Sequence, residues 1–261
     1  MTIHSEEKIV KVVIPLYKSD LNNEELLSLK QCCAILSRYP IVIAKPESLN
    51  IDLLCRQYPQ LGIESFDDAF FKNLASYNRL MLSAEFYKRF LYYEYILIYQ
   101  LDAYVFRDEL ELWCRKKYDY IGAPWIKRAS LWKDLKNRLR KLAGIKEKRP
   151  YSAAYYKAGN GGFSLRRIQS FYEITMKETD CIRTYLHPVE KHIRFKPEDI
   201  FWALEPQRLG YPFVTPDYKE ALLFAFDKYP RLCFNITKTI PFGCHAWNRR
   251  KSFTFWKKII V

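Results

Sequence analysis

The feature that most constrains the fold is a β-rich, mainly apolar run at residues 95–101, which ends at a single carboxylate, Asp102. Its aliphatic and tyrosine side chains occupy both faces of a strand. That pattern is typical of a strand inside a sheet that helices cover on each side. In such α/β sheets, ligands bind outside the carboxyl ends of the strands. Asp102 is therefore predicted to lie in a ligand crevice, although capping of the next turn would explain the same residue.

Strand patterns and helix patterns alternate in the segments before this strand. Residues 8–17 and 40–45 predict short strands, and residues 23–38 and 47–58 predict helices. A long helical pattern, best over residues 76–90, leads into the apolar strand. The order strand, helix, strand, helix favours a mainly parallel sheet with right-handed crossovers.

The composition is that of a globular protein from a reducing compartment. Hydrophobic residues make up 49% of the 261 residues. No run of about 18 apolar residues occurs that would predict a membrane span. The seven cysteines include no CxxC pair, which argues against a zinc site or a disulfide framework. The first residues lack the basic and apolar regions of a signal peptide, so we expect a cytoplasmic protein.

Positive charge is concentrated in one segment. The net charge is +14 at pH 7, and residues 127–149 hold ten Lys or Arg side chains against two acids. Leucines and Trp132 at helical spacing over residues 131–142 predict a basic amphipathic helix. Such a helix suits peripheral binding to an anionic membrane surface, although a solvated helix packed by its leucines explains the same pattern. With a pI of 9.3, a nucleic-acid-binding protein is a competing interpretation. No nucleic-acid-binding motif appears, so we expect no nucleic acid partner.

A glycine-rich segment, Gly159-Asn160-Gly161-Gly162, stands before another predicted element. Glycines allow a backbone to approach a ligand closely, and Asn160 can supply hydrogen bonds. The segment fits neither the GxGxxG nor the P-loop pattern, so it is not predicted to cradle phosphate in that way. A tight turn would account for the same glycines.

Two further segments carry ionisable groups beside turns or helix ends. Glu198 and Asp199 follow a proline at a predicted helix start, where the helix N-terminus keeps a carboxylate ionised and ready to act as a general base. Simple capping of that helix is the alternative. His245, in the run PFGCHAW, could ligate a metal or donate to a phosphate, or it could be structural.

Taken in this order, the segments resemble a bacterial glycosyltransferase family that is catalogued as a domain of unknown function. The resemblance covers about residues 75–250 and rests on the runs ILIYQLDAYVF, LELWCRKKYDYIGAPW, GNGGFSLR, PEDIFWA and PFGCHAW. It implies a single glycosyltransferase-A-like, Rossmann-like α/β domain with a mixed, mainly parallel central sheet flanked by helices. The implied parts of the domain, which spans residues 1–261, are a nucleotide-sugar half (8–125), a basic amphipathic insertion (126–150), an acceptor and catalytic half (151–250) and a basic-aromatic tail (251–261).

The resemblance also implies roles for the polar segments. Asp102 corresponds to the first acid of an Asp-x-Asp metal motif, and the acid pair at 198–199 supplies the base in inverting members. His245 matches a histidine that helps to bind the metal or the diphosphate. The second acid of the motif is absent, since Asp102 is followed by Ala103 and Tyr104. The implied Mn²⁺ or Mg²⁺ would then be held by Asp102, His245 and phosphate oxygens, unless Arg or Lys replaces the metal.

The resulting expectation is transfer of a sugar, with inversion, from a nucleotide-diphosphate sugar to a hydroxyl of a cell-surface glycan such as capsule or O-antigen. The acceptor would be a glycan or a lipid-linked oligosaccharide at the cytoplasmic face of the membrane. An inactive binding protein of the same fold is the alternative, favoured by the missing second acid. The residues predicted to bind the donor are Pro15, Tyr17, Asn78, Arg79, Gln100, Asp102, Ala103, Asn160, Gly161 and Gly162, and the predicted catalytic residues are Asp199 and Glu198.

Overall fold

A six-stranded sheet forms the centre of the part of the chain that the computed structural model describes, residues 8–127, 152–188 and 196–260. The strands of the described ranges are β1 (Lys8–Pro15), β2 (Ile41–Pro46), β3 (Gly62–Phe66), β4 (Tyr93–Tyr99), β5 (Tyr104–Val105), β6 (Tyr120–Gly122), β7 (Phe163–Arg167), β8 (Ala225–Phe226) and β9 (Gly243–Cys244). In the central sheet their order is β3-β2-β1-β4-β7-β6. The first four run parallel, whereas β7 is antiparallel to both β4 and β6. The predicted mixed, mainly parallel sheet is confirmed.

Helices cover both faces of this sheet. The helices of the described ranges are α1 (Asn23–Ile35), α2 (Asp52–Gln57), α3 (Leu74–Met81), α4 (Ala84–Lys88), α5 (Leu110–Arg115), α6 (Ile168–Lys177), α7 (Thr179–Leu186), α8 (Glu198–Arg208), α9 (Tyr218–Phe224), α10 (Pro230–Thr237) and α11 (Arg250–Ile260), and the last two pack beside a second, smaller sheet. Strand β4 alternates between the two layers, as the period of a strand requires. Tyr95, Leu97 and Tyr99 face the layer of α1, α5 and α9, and Ile96 and Ile98 face that of α3, α4, α6 and α8.

The helix predicted over residues 76–90 is wrong in its continuity. The structure divides it into α3 and α4, with Leu82 and Ser83 between them. The Ser83 hydroxyl accepts a hydrogen bond from the N–H of Phe86 and donates to the carbonyl of Leu80. A serine that satisfies the end of one helix and the start of the next favours a break.

A second, small sheet joins the C-terminal part of the chain to the central strands. Its order is β5-β9-β8, and each strand has two residues. Trp247 and Trp256 are fully buried beside it, so aromatic packing supplies the stability that such short strands lack. No pattern predicted this sheet, because two residues cannot show a period.

The described residues do not test two of the predictions from the sequence. The basic amphipathic helix predicted over residues 131–142 lies outside the described residues, and the division of the domain into halves stays a prediction. Within residues 8–127, 152–188 and 196–260, no helix has both the length and the apolar character that crossing a bilayer requires.

Candidate functional site

The site lies where the order of strands along the chain reverses. The chain builds β1, β2 and β3 outward in one direction and then places β4 on the other side of β1. At such a switch point the loops that follow the two central strands diverge and leave a crevice. A cleft of about 530 Å³ occupies this position. Its lining residues are Pro15, Leu16, Tyr17, Lys18, Glu25, Phe71, Lys72, Asn73, Leu74, Tyr77, Gln100, Leu101, Asp102 and Asn248.

The register of the central sheet brings the glycine-rich segment to the edge of this cleft. Tyr99 pairs with Phe163, so Gly162 lies opposite Gln100, whose N–H donates to the Gly162 carbonyl at 2.8 Å. A Cβ on Gly162 would lie 2.1 Å from Nε2 of His245 and 2.7 Å from Oε1 of Gln100. Only glycine leaves room for that imidazole.

Gly162→Ala is expected to destabilise the fold by about 1–3 kcal/mol, because the new methyl group overlaps a buried ring that has no free space to enter. The measurement is the free energy of unfolding in urea. Gly62→Ala is the matched control, since the nearest atom to its Cβ lies 3.6 Å away, an ordinary contact. An equal loss of unfolding free energy in the two variants would contradict the close packing of Gly162 against His245.

The small sheet places a histidine between two carboxylates. Pairing of β9 with β5 and β8 brings His245 beside residues that follow β4 and β8. Its Nε2 lies 3.0 Å from Oδ1 of Asp102, and its Nδ1 lies 3.5 Å from Oδ1 of Asp227. Burial lowers the pKa of His245, but the two carboxylates more than offset this and raise the pKa to about 9. The imidazole is therefore a cation at neutral pH.

Asp102 connects this histidine to the cleft. Burial raises the pKa of its carboxyl, but His245 and Arg249 outweigh that effect, and the net shift is downward. The Arg249 guanidinium lies 3.7 Å from Oδ2. The N–H of Trp247 donates to the Asp102 carbonyl at 3.2 Å, which fixes the two segments to each other. Asp102 thus remains ionised at the cleft wall.

A second charged centre lies behind the adjacent glycine. Arg166 donates to Oε1 of Glu198 at 2.9 Å, and both side chains are buried. A Cβ on Gly161 would lie 1.9 Å from that Oε1. Gly161 and Gly162 therefore pack against Glu198 and His245 respectively, and all four polar segments of the sequence meet here. The buried ion pair occupies Oε1 of Glu198, and the role of Glu198 as a base stays a prediction.

Asp199 has the properties of a group that can exchange a proton near neutral pH. It is partly exposed at the first turn of α8, yet its Oδ1 is buried and has no hydrogen-bond partner among the described residues. Burial raises the pKa of its carboxyl to about 7, and the neighbouring Glu198 and Asp227 add to the rise. This environment suits a general base.

The structure gives three predicted donor contacts other roles. Among the described residues that line the cleft, Asn78, Arg79 and Ala103 do not occur. Asn78 is buried, and its Oδ1 accepts the N–H of Glu198 at 2.6 Å. Arg79 donates to the carbonyl of Ala69, and Ala103 is fully buried with its carbonyl bonded to Ser28. Their role as donor contacts stays a prediction, and the hydrogen bonds of these residues are explained by the fold.

The other predicted contacts lie in or beside the cleft. Pro15, Tyr17, Gln100 and Asp102 line it. Asn160 is buried with a positive φ of 61°, a conformation that asparagine tolerates, and its Oδ1 accepts the N–H of Gly162. Asn160 therefore shapes the glycine turn.

Sequence reasoning missed three residues of the site. Asp227 follows the apolar stretch of α9 and β8, the same signal that identified Asp102, and could have been found in that way. Arg166 is a charged residue inside a buried strand, which signals an ion pair without naming its partner. Tyr77 accepts a hydrogen bond from Nε2 of Gln100 at 3.2 Å and lines the cleft; nothing in its local sequence distinguishes it.

Asp102 and His245 are the predicted metal ligands beside the cleft, and the structure brings their side chains together. Over the described ranges, no three His, Cys, Asp or Glu side chains converge on a point where an ion could be held. The 3.0 Å separation of the pair is that of a charge-assisted hydrogen bond from the imidazolium Nε2–H to Oδ1 of Asp102, so His245 would have to lose this proton before it could ligate a metal. Carboxylate and imidazole, with the Gln100 amide oxygen 3.2 Å from the ring, form a donor set that Mn²⁺ and Mg²⁺ accept.

Three solved structures of glycosyltransferases have a similar architecture. LgtC, a galactosyltransferase in complex with donor and acceptor sugar analogs, is 11% identical with a TM-score of 0.52, covering 96% of this chain and 95% of its own. Mouse xyloside xylosyltransferase 1 is 11% identical with a TM-score of 0.51, over 90% and 97% of the two chains. GlyE of Streptococcus pneumoniae is 12% identical with a TM-score of 0.51, over 96% of this chain and 60% of its own. The chain has the glycosyltransferase-A fold.

Comparison by sequence gives the family. No curated protein matches the chain. The family DUF5672, described as a protein of unknown function, matches residues 60–245, which is more than half of the chain. The resemblance seen in the sequence motifs is thereby confirmed, and this chain belongs to the DUF5672 family.

Proposed function

We propose that this chain is a glycosyltransferase that moves a sugar from a nucleotide-diphosphate sugar to a hydroxyl acceptor. One observation carries the proposal. Gln100, Asp102, Gly162 and His245 meet beside a cleft at the switch point of a glycosyltransferase-A fold, and the Arg166–Glu198 pair lies directly behind them. A cleft with aromatic walls and ionised groups at one end suits a ligand that has a base at one end and a diphosphate at the other.

In this proposal the aromatic end of the cleft takes the nucleoside. Pro15 ends β1 and Tyr17 lies just after it, with 65% of its surface exposed. Phe71 and Tyr77 supply the facing wall. Exposed rings along a cleft are suited to stack on a nucleobase.

The charged end takes the diphosphate. The His245 imidazolium and the Arg249 guanidinium are the cations that stabilise negative charge as the diphosphate departs, the electrostatic contribution that usually dominates such sites. A Mn²⁺ or Mg²⁺ ion held by Asp102 and a deprotonated His245 would supply that charge neutralisation in place of the imidazolium. Asp102 orients His245 whether or not an ion is present.

Asp199 removes the proton of the acceptor hydroxyl in this scheme. Its pKa of about 7 matches that task. Direct attack by an acceptor activated in this way inverts the configuration at the anomeric carbon. NMR of the first-formed product measures the outcome, and retention would contradict the role given to Asp199. The acceptor class we propose is a cell-surface glycan or a lipid-linked oligosaccharide.

Donor binding and turnover test the function together. We expect one member of a panel of UDP-, GDP-, CMP- and TDP-sugars to raise the melting temperature, because ligand bound to the folded state stabilises it by about 2.7 kcal/mol at a hundred times its Kd. Asp102→Ala should lower turnover on the order of 10²–10³-fold by removing the group that orients His245. Added Mn²⁺ reports whether a cation contributes.

Asp180→Ala is the matched control, since Asp180 is an exposed acid on α7 whose pair with Arg183 is solvated. Turnover that is equal in the two variants would contradict the proposal.

An inactive binding protein of the same fold is the second candidate, and Tyr104 at the position of the second acid favours it. It predicts the same thermal shift with the donor, but no transfer or hydrolysis in the wild-type chain. The turnover measurement therefore separates the two candidates.

A further inference from the structure

The C-terminal stretch of the chain is rich in Lys and Arg and contains no acidic residue of its own. Residues 228–261 contain eight Lys and Arg residues and no Asp or Glu, and so contribute +8 of the net +14. These cations are Lys228, Arg231, Lys238, Arg249, Arg250, Lys251, Lys257 and Lys258. Like charges gathered in one region repel one another, so their natural partner is an anionic surface.

Helix α11 presents part of this block on one face. Its inner side is anchored, because Trp256 is fully buried and stacks on Phe106 with ring centroids 5.2 Å apart. Ser252 is also buried on that side. The opposite face, at helical spacing, is fully cationic apart from Thr254. Its exposed side chains are Arg250, Lys251, Thr254, Lys257 and Lys258.

These four cations have no acidic neighbour. In the ranges that the structure describes, no carboxylate lies within 4.0 Å of any of them, whereas the preceding Arg249 pairs with Asp102. The buried side of α11 therefore packs against the fold, whereas its four exposed cations form no ion pair within the described ranges.

Apolar side chains border the cationic face. Ile259 on α11 exposes 43% of its surface. Phe255 is partly exposed, and its ring centroid lies 6.1 Å from that of Phe234 on α10. Ile236 on α10 exposes 40%. Cations flanked by exposed apolar groups match the boundary between lipid headgroups and acyl chains. Cations along a helix face also suit a nucleic acid, so the exposed apolar side chains beside them are the observation that favours a bilayer.

We infer that the cationic face of α11 is a docking surface for an anionic lipid bilayer. Trp256 and Ser252 are packed against the fold, so the helix docks through its cations while the exposed apolar side chains beside them lie at the headgroup boundary. Asn248 lines the cleft and Arg249 pairs with Asp102, so α11 begins at the mouth of the cleft. Docking through α11 thus holds that mouth close to the lipid surface. The inference goes beyond the proposed function and does not depend on it.

Replacement of Arg250, Lys251, Lys257 and Lys258 by Gln in the full chain tests the inference. Each cation near an anionic leaflet strengthens binding about five-fold, so the quadruple variant should bind several hundred-fold more weakly. The measurement is cosedimentation with vesicles that mix phosphatidylglycerol with phosphatidylcholine. Wild-type binding should weaken as salt is added and should be absent with phosphatidylcholine alone.

A second quadruple variant controls for net charge. Lys30, Arg56, Lys88 and Lys117 are exposed cations outside α10 and α11, and their replacement by Gln removes the same total charge. We expect this control to keep most of its vesicle binding and both variants to keep the melting temperature of the wild type. Equal losses in the two variants, unchanged binding of the α11 variant, or tighter binding of wild type to a random oligonucleotide than to the vesicles would each overturn the inference.

Discussion

Asp199→Asn is expected to abolish most transfer activity and, above pH 7, to make the folded chain more stable. Asparagine keeps the shape of the side chain but cannot accept a proton from the acceptor, so the rate should fall on the order of 10²–10⁴-fold. In the wild type, the rate should rise with pH through about 7, as the carboxyl loses its proton. The measurements are a pH profile of kcat/KM and urea denaturation of both proteins.

The gain in stability follows from the environment of the carboxyl. Its pKa is raised from an ordinary value of 3.8 to about 7, mainly by burial and then by Glu198. Between these values the folded chain holds a proton that the unfolded chain has released, so stability falls as the pH rises through this window. The neutral amide of the variant would not show that loss. A helix N-terminus favours a carboxylate and offsets part of the effect, so we expect a net gain on the order of 1–2 kcal/mol at pH 8.

At pH 4 the two proteins should have nearly the same stability, which provides an internal control for the substitution. A variant that loses activity but is no more stable than wild type at pH 8 would contradict the buried, crowded carboxyl described here. A variant that keeps full activity would remove Asp199 from the mechanism and leave the rest of the site intact.

Arg166→Met is expected to destabilise the fold by about 3–5 kcal/mol, a large share of the stability of an ordinary domain. The Arg166 side chain is 0% exposed and that of Glu198 is 6% exposed. Removing the guanidinium leaves a carboxylate buried without its counter-charge, and it also removes hydrogen bonds to Tyr87 and Ser164. Burial already raises the pKa of Glu198 against the opposing effect of Arg166, so the lone carboxyl should take up a proton.

A double-mutant cycle separates the ion pair from the size of the side chain. Glu198→Gln alone should cost less than Arg166→Met, since the guanidinium keeps its hydrogen bonds to Tyr87 and Ser164. The double variant should recover part of the loss, with a coupling energy in the range of about 0.5–3 kcal/mol that contacting groups show. Arg167→Met is the control one residue away, where the pair with Glu94 is about 38–39% exposed and should contribute no more than about 1 kcal/mol. Equal cost at positions 166 and 167 would contradict this account.

The sequence predicted the central part of the site, because a β-rich, mainly apolar run of seven residues identifies a buried strand. The strand predicted over residues 95–101 is Tyr93–Tyr99 in the structure, two residues earlier, and Asp102 lies beyond its carboxyl end, at the edge of the sheet. The glycine turn and the acid pair were likewise visible as segments. The sequence alone does not show which of these segments contact one another in the fold. Arg166 and Glu198 are 32 positions apart, and the strands that hold His245 are too short to have a period.

The contacts that define the charged end of the cleft join distant parts of the polypeptide. Gln100 and His245, whose side chains are 3.2 Å apart, are 145 positions apart along the chain, and strands of only two residues close that loop. Forming such a contact restricts a long stretch of flexible chain before any favourable energy is recovered. The charged end of the cleft should therefore assemble late in folding, after the parallel strands have formed. A newly made molecule would bind neither donor nor cation there until its last third had folded back onto the sheet.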